Sequence, residues 1–380
     1  MALGRWGEVG VLGVARVSMG MQLQVIGALG PLLLGTLVAD WARLGALIGA
    51  YSFAGVFVAL PAGWMLARFG DRAVLLTGVA LMAAGGALLA LAGDFGTALA
   101  GRLVSGVGGA LLTIACAKMV FDRFAGASVA LAMGVMLMAW PFGIGLALLV
   151  LPILGEDWRG GLWLSAAFCA LALGLVWVAV GKAGAGAAQV PRIGLHRHEW
   201  RPLVAIGLVW AAYNAAFAVA VGFAPSFLVA RGASQVEAGA VASLIGFAIL
   251  PLQPMGGALA ERAGRPLLVM AGCIAGMVAA LLALAAGAPA WLALAAVGVL
   301  ASPPSSLIMA AAGRALSPES RAFGMGVHYT LFYLGVALLP PLAGLVRDVT
   351  GNPAAPILTG AGFLAASLLG IAVYARAMRG

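Results

Sequence analysis

The chain has 380 residues, of which 64% are apolar and 9% charged, and its formal net charge is +9. Soluble domains carry about 25% charged residues, so this composition excludes a water-soluble globular protein. It indicates a chain that crosses a membrane many times. The positive charge is typical of cytoplasmic loops of membrane proteins, so we expect a lipid bilayer and no nucleic acid as partner.

A membrane-spanning helix needs about 20 mostly apolar residues, and the sequence contains twelve such runs in succession. We predict spans at 12–37, 43–67, 73–93, 96–118, 126–151, 160–181, 202–229, 236–260, 266–287, 290–313, 322–346 and 354–376. The first run is longer than the apolar part of a secretory signal, so we interpret it as a retained helix. The spans use almost the whole chain and hold neither a nucleophile–base set nor a metal cluster. We therefore expect no enzyme activity, no metal and no cofactor.

The basic residues of the connectors predict the orientation of the chain. With twelve spans, fifteen Lys and Arg residues fall on one side of the membrane. Only four fall on the other side, namely Arg43, Arg159, Arg231 and Arg347. Since cytoplasmic loops are enriched in basic residues, this bias predicts that the N- and C-termini are both cytoplasmic.

One internal repeat relates the two halves of the sequence. Three residues after span two align with three residues after span eight at a constant offset of 194 positions: Gly63, Arg68 and Gly70 with Gly257, Arg262 and Gly264. The longest connector lies between the halves and is Gly/Ala-rich and then basic. We therefore predict a six-helix bundle in 1–181, a cytoplasmic linker in 182–200 and a second six-helix bundle in 201–380.

These segments resemble the major facilitator superfamily of transporters. Its signature after span two has a Gly, an acidic residue, an Arg and a second Gly before more basic residues. The second copy has Glu261 at the acidic position, whereas the first has Ala67 there and Asp71 beside the basic Arg72. Span four, with Arg102, resembles a second motif of the superfamily.

Span five supplies a further likeness. "MAWPFGIG", which contains Pro141, partly resembles the glycine–proline motif of the superfamily's antiporters. Together with "GALGPLL" in span one, it is weakly similar to the branch that contains cyanate and nitroimidazole permeases. The resemblance implies two pseudo-symmetric six-helix bundles that rock around a midplane site, a monomer, and gating roles for the loop residues and Pro141. Composition and family together predict a bacterial inner membrane.

The polar residues inside the spans indicate a substrate site. All twelve acidic residues fall in connectors or at helix ends, whereas Arg102 lies deep in span four, Arg16 lies shallowly in span one and His328 lies in span eleven. Intramembrane charges usually face a cavity and mark function. A cavity with fixed positive charge favours an anion, which Arg102 could bind in a bidentate geometry.

We expect Arg102 to be the principal anchor of the substrate. The other predicted substrate-binding residues are Gln24, Tyr213, Asn214, His328 and Tyr329. Alternatively, Arg102 fixes its helix by bonding to backbone carbonyls. His328 either makes an interhelical hydrogen bond or binds a proton.

The leading functional hypothesis is a secondary active or facilitated transporter that moves a small anion by alternating access. Uniport, anion exchange and proton symport through His328 or the substrate itself remain open. The alternative is a drug/proton antiporter that exports lipophilic neutral or cationic compounds. An intramembrane acidic residue, which would attract cations, is missing from the spans, and this favours the anion.

Overall fold

The computed structural model describes residues 4–59, 61–124, 127–155, 157–181, 194–253, 264–317 and 319–378. Within these ranges the fold is helical, with no strand beyond one isolated bridge between Leu34 and Val38. The α-helices, numbered in chain order, are α1 Arg5–Leu33, α2 Trp41–Val58, α3 Ala62–Phe69, α4 Asp71–Ala90, α5 Phe95–Arg123, α6 Ala127–Val150, α7 Trp158–Ala179, α8 Arg197–Val229, α9 Gln235–Ala248, α10 Pro266–Ala286, α11 Ala290–Arg314, α12 Arg321–Thr350 and α13 Ala355–Ala377. A short 3-10 helix, Leu151–Leu154, follows α6.

Eleven of the described helices are long and apolar enough to cross a membrane. Each corresponds to one predicted span, and α10 begins at Pro266 as expected. Helix α9 is a shorter apolar helix of 14 residues. It belongs to the predicted span 236–260, whose last residues lie outside the described part of the chain. Helix α8 begins at Arg197, so residues 197–200 of the predicted linker are helical.

Helix starts follow the sequence signals for capping. Asp40 and Asp94 precede α2 and α5, and their carboxylates accept hydrogen bonds from the backbone amides of Arg43 and Thr97. Ser234 begins α9 with a capping box that Glu237 completes. These side chains satisfy amides that have no partner within the helix.

The predicted span 43–67 is not one continuous helix. Helix α2 ends at Val58 and the short α3 begins at Ala62, with Pro61 at its N-cap. Proline has no amide hydrogen to donate to the helix and clashes with the preceding turn, so it accounts for the break. Glycine is then required at the next junction, because Gly70 has a φ of +80° and its repeat partner Gly264 a φ of +65°.

Helices α1 to α7 pack against one another, and α8 to α13 do the same; we call these the N-terminal and C-terminal sets. Among the described residues, the two sets meet mainly where α2 packs on α12, α6 on α9 and α1 on α8. The closest approach is between α2 and α12. A Cβ on Gly45 would clash with the carbonyl oxygen of Pro340, and one on Gly49 with that of Ala337. Glycine at these positions lets the helix backbones touch.

Candidate functional site

Arg102 on α5 is fully buried, and each of its three guanidinium nitrogens donates a hydrogen bond to a backbone carbonyl. It donates hydrogen bonds from Nε to the carbonyl oxygen of Leu47 (2.8 Å), from Nη1 to that of Gln22 (2.5 Å) and from Nη2 to that of Leu23 (2.9 Å). Its guanidinium also lies 4.9 Å from the centroid of the Tyr51 ring. The side chain therefore ties α5 to α1 and α2.

A cavity of about 200 Å³ lies between the two sets of helices. Eight aromatic side chains line it: Tyr51, Trp140, Trp210, Tyr213, Phe217, Tyr329, Phe332 and Tyr333. Its polar lining consists of Arg16, Ser52, Thr113, Asn214, Gln253 and Ser305. Arg102 does not line this cavity. The structure thus places the expected anchor behind the wall, in the alternative position that the sequence left open.

Arg16 on α1 is the one charged side chain among the described residues that line the cavity. Its Nη1 donates to the hydroxyl of Thr113 (3.0 Å) and approaches the Met19 sulfur (3.9 Å), while its Nε has no hydrogen-bond partner among the described residues. None of the ion pairs formed by described residues includes it. A guanidinium that is 95% buried with spare donors can bind an anion in the cavity.

The structure brings most of the other predicted binding residues to this region. Tyr213, Asn214 and Tyr329 line the cavity, where the Tyr213 hydroxyl donates to the carbonyl oxygen of Ala301 (2.5 Å). Gln24 lines an adjoining cavity of about 40 Å³ and donates from Nε2 to the carbonyl oxygen of Val221 (2.7 Å). It therefore links α1 to α8.

His328 lies just behind the cavity wall. It is fully buried, and neither of its ring nitrogens has a hydrogen-bond partner within the described part of the chain. Its ring stacks on that of Trp210 at 6.1 Å and meets Tyr329 edge-on at 6.2 Å. The sequence left two roles open for His328, an interhelical hydrogen bond or proton binding. The described residues provide no partner for the hydrogen bond.

Of the predicted gating residues that the structure describes, Pro141 lines the cavity and the others do not. Gly63 and Arg68 lie in α3. Arg72 donates to the carbonyl oxygens of Val180 (2.7 Å) and Trp177 (2.8 Å), so it holds α4 to the end of α7 rather than bridging the two sets. Gly257, Glu261 and Arg262 lie outside the described residues.

Charged contacts that the sequence analysis missed tie α4, α5 and α1 together at one end of the N-terminal set. Lys118 pairs with Asp71 (2.8 Å) and with Asp122 (2.6 Å). Arg123 pairs with Glu8 (2.6 Å). Asp71, which departs from the family pattern by replacing a basic residue, is therefore paired within its own set of helices. The sequence signal for this cluster is Asp122, which lies between the basic residues Lys118 and Arg123.

The two sets of helices are closed against each other at the end where α1 terminates. The Asp348 carboxylate accepts from the backbone amides of Trp41 (3.0 Å) and Ala42 (2.8 Å), at the start of α2. The Arg347 guanidinium lies 3.4 Å from the Trp41 ring centroid. Other hydrogen bonds between described residues of the two sets run from Gln24 to the carbonyl oxygen of Val221 and from Gln235 to the carbonyl oxygen of Ala28. Arg16 lies nearer the other end of α1.

Two sets of helices around a central cavity suggest a transporter, and a family model identifies which family the chain belongs to. The family model described as Major Facilitator Superfamily matches residues 12–297 and 205–378. The chain belongs to the Major Facilitator Superfamily. It is thus a multi-pass membrane protein of a family of transporters, as the sequence motifs predicted. No curated protein matches it.

Solved structures of superfamily transporters share this fold. A mutant of the nucleoside transporter NupG has a TM-score of 0.80 at 15% identity, covering 98% of this chain and 100% of that one. A POT family transporter in complex with a thioalcohol-conjugated peptide has a TM-score of 0.77 at 13% identity, covering 97% and 96%. A bacterial homolog of the human lysosomal transporter Spinster, in an inward-facing and occupied conformation, has a TM-score of 0.72 at 19% identity, covering 99% and 97%.

Proposed function

We propose that this superfamily member moves a small organic anion across the membrane by alternating access through the cavity. The unpaired guanidinium of Arg16 carries this proposal. It lies in a low-dielectric cavity with no acidic side chain among the described lining residues. An anion that enters would supply the partner that a buried charge needs.

We propose Arg16, instead of Arg102, as the residue that binds the substrate. All three guanidinium nitrogens of Arg102 bond to backbone carbonyls away from the cavity, whereas Arg16 lines the cavity and its Nε has no partner among the described residues. In the proposed mechanism Arg16 binds the anion and Arg102 supports the wall. Tyr213, Asn214 and Tyr329 complete the cavity, and Gln24 belongs to the closed end.

We also propose the arrangement of the spans, the orientation of the chain and the membrane in which it acts. We propose twelve spans, with the eighth completed by residues after α9, and two six-helix bundles at 1–181 and 201–380 joined by the linker 182–200. With both termini cytoplasmic, the closed end lies on the outer side of the membrane, and the cavity belongs to an inward-facing state. The protein is proposed to act as a monomer in a bacterial inner membrane, without enzyme activity.

His328 is the proposed proton site if transport is coupled to protons. Two buried ring nitrogens without a hydrogen-bond partner support this role. Uniport and anion exchange are the other modes, in which His328 would stay neutral.

Export of lipophilic neutral or cationic compounds is a second candidate, which the aromatic lining of the cavity favours. Aromatic faces attract cations as well as apolar groups. The cavity charge distinguishes the two candidates, since a cation would meet Arg16 without a carboxylate to offset the repulsion.

A heating assay of the purified protein tests the proposal. A ligand that binds only the folded state raises its stability, by about 2.7 kcal/mol at a hundred times its dissociation constant. We expect small organic anions to stabilise the wild type and not Arg16→Gln. Arg5→Gln is the matched control, because Arg5 is an exposed residue of the same helix. Stabilisation of both proteins by lipophilic cations or neutral compounds, and not by anions, would refute it.

A further inference from the structure

The aromatic wall of the cavity is divided unequally between the two sets of helices. Six of the eight rings come from α8 and α12 of the C-terminal set, while Tyr51 and Trp140 come from the N-terminal set. Trp210 stacks on Tyr213 at 5.7 Å and on Phe332 at 5.8 Å. These neighbouring rings form an aromatic wall on one side of the cavity, and Arg16 belongs to the opposite set.

Two hydroxyl groups complete a polar end of this surface. Tyr329 and Tyr333 line the cavity, and neither hydroxyl forms a hydrogen bond within the described part of the chain. Arg16 lines the same cavity. By contrast, the hydroxyl of Tyr213 already has a carbonyl partner. The cavity therefore gathers a guanidinium and two spare hydroxyl donors, which is a donor set suited to a carboxylate.

The charge of the cavity limits the ligand to a single negative charge. Arg16 is the one charged group of the described lining, so a dianion would bring a second, unpaired charge into a low-dielectric site. An inorganic anion would leave the aromatic surface without a partner. A ligand that uses both features has one carboxylate and a flat, apolar body.

We propose that the cavity binds aromatic monocarboxylates, a class that deepens the proposed function and rests on it. The carboxylate accepts hydrogen bonds from Arg16 and from the hydroxyls of Tyr329 and Tyr333. The ring lies against Trp210 and Phe332, where aromatic pairs prefer offset-stacked or edge-on geometry. The bound ligand thus joins a cation of the N-terminal set to a wall of the C-terminal set.

Binding of matched probes to the purified full-length protein, measured by calorimetry, tests this. Benzoate has both features, acetate has the charge alone, benzamide has the ring alone, cyclohexanecarboxylate has the charge on a puckered ring, and phthalate has two charges. We expect benzoate to bind more tightly than each of the other four. Benzamide should bind at least about tenfold more weakly because it lacks the charged acceptor, and a hydrogen bond to a charged group is worth that much or more. Acetate and cyclohexanecarboxylate lose the contact between aromatic rings, and phthalate brings a second, unpaired charge into the cavity. Tyr329→Phe and Tyr333→Phe, which remove only the hydroxyls, should each weaken benzoate about tenfold and weaken benzamide less, because its neutral amide oxygen is a poorer acceptor than a carboxylate.

The outcomes separate this inference from the function on which it rests. If acetate, phthalate and benzoate bind equally and Arg16→Gln abolishes all three, the anion transporter stands and the aromatic class is wrong. If benzamide binds as tightly as benzoate and Arg16→Gln changes neither, the anion proposal itself fails. Arg16→Lys guards against misfolding, because it should keep measurable benzoate binding that Arg16→Gln loses. Unchanged benzoate affinity in both phenylalanine variants would overturn the assigned carboxylate contacts.

Discussion

Replacing Arg102 with leucine should destabilise the protein without acting through the ligand. Each hydrogen bond to a charged group contributes about 1.5–3 kcal/mol, so the three bonds to Leu47, Gln22 and Leu23 give roughly 4.5–9 kcal/mol. An arginine at membrane depth costs about 2.5–3.5 kcal/mol on insertion scales. The three carbonyl groups lie within helices and also accept helical bonds, which favours the lower part of the difference. We expect Arg102→Leu to lose about 3 kcal/mol of unfolding free energy.

The assay compares how much protein stays monodisperse after heating in detergent, with no ligand present. Arg102→Lys should fall between wild type and Arg102→Leu, because one ammonium group cannot meet three carbonyls in the plane of a guanidinium. Arg16→Gln is the matched comparison and should keep nearly wild-type stability, since Arg16 makes few bonds. If Arg102→Leu proved as stable as wild type but lost anion binding, the supporting role derived from these bonds would be refuted.

Three further predictions concern closure and coupling. Asp348→Asn removes a charge from the start of α2 and should reduce the stability of the closed end by about 1 kcal/mol. A cysteine introduced at Trp41 should then react faster with a polar maleimide, and an unchanged rate would contradict the capping role. Gly45→Leu should block contact between α2 and α12 at Pro340, since even a Cβ clashes there; transport should stop while the protein stays folded, and a normal transport rate would show that the contact can be spared. His328→Gln should abolish uptake driven by a pH gradient while preserving exchange of substrate; loss of both, or of neither, would argue against a proton site.

Sequence patterns predict the helices of this protein well because the membrane imposes a strong requirement on each span. Apolar runs of the necessary length correspond to eleven described helices of sufficient length. The repeat also predicts a shared backbone feature, since Gly70 and Gly264 both have positive φ values. The break near Pro61 was visible in the sequence, yet hydropathy alone passes over it because the flanking residues are equally apolar.

The candidate site was harder to predict because its decisive partners carry no sequence signal. The depth of Arg102 indicated burial, but backbone carbonyl oxygens, which bind it, are present at every residue. Arg16 was placed near the cytoplasmic end, where a long side chain can reach water. Its position in the cavity depends on how α5, α6 and α7 pack against α1, which no local pattern specifies. The same holds for Trp210, which stacks on His328 and Phe332 far away in the chain.

Helix α1 makes the N-terminal set a fixed frame for the substrate's charge. It carries Arg16 into the cavity, and one to two turns later its Gln22 and Leu23 carbonyls bind Arg102. The Gln22 side chain also bonds to Ser105 on α5 and Ser165 on α7. Moving Arg16 along the transport path would therefore disrupt a network across four helices. Under the proposed mechanism, less of this network is disrupted when the C-terminal set moves its aromatic wall relative to an anion held at Arg16, so the anion would be released when that wall moves away.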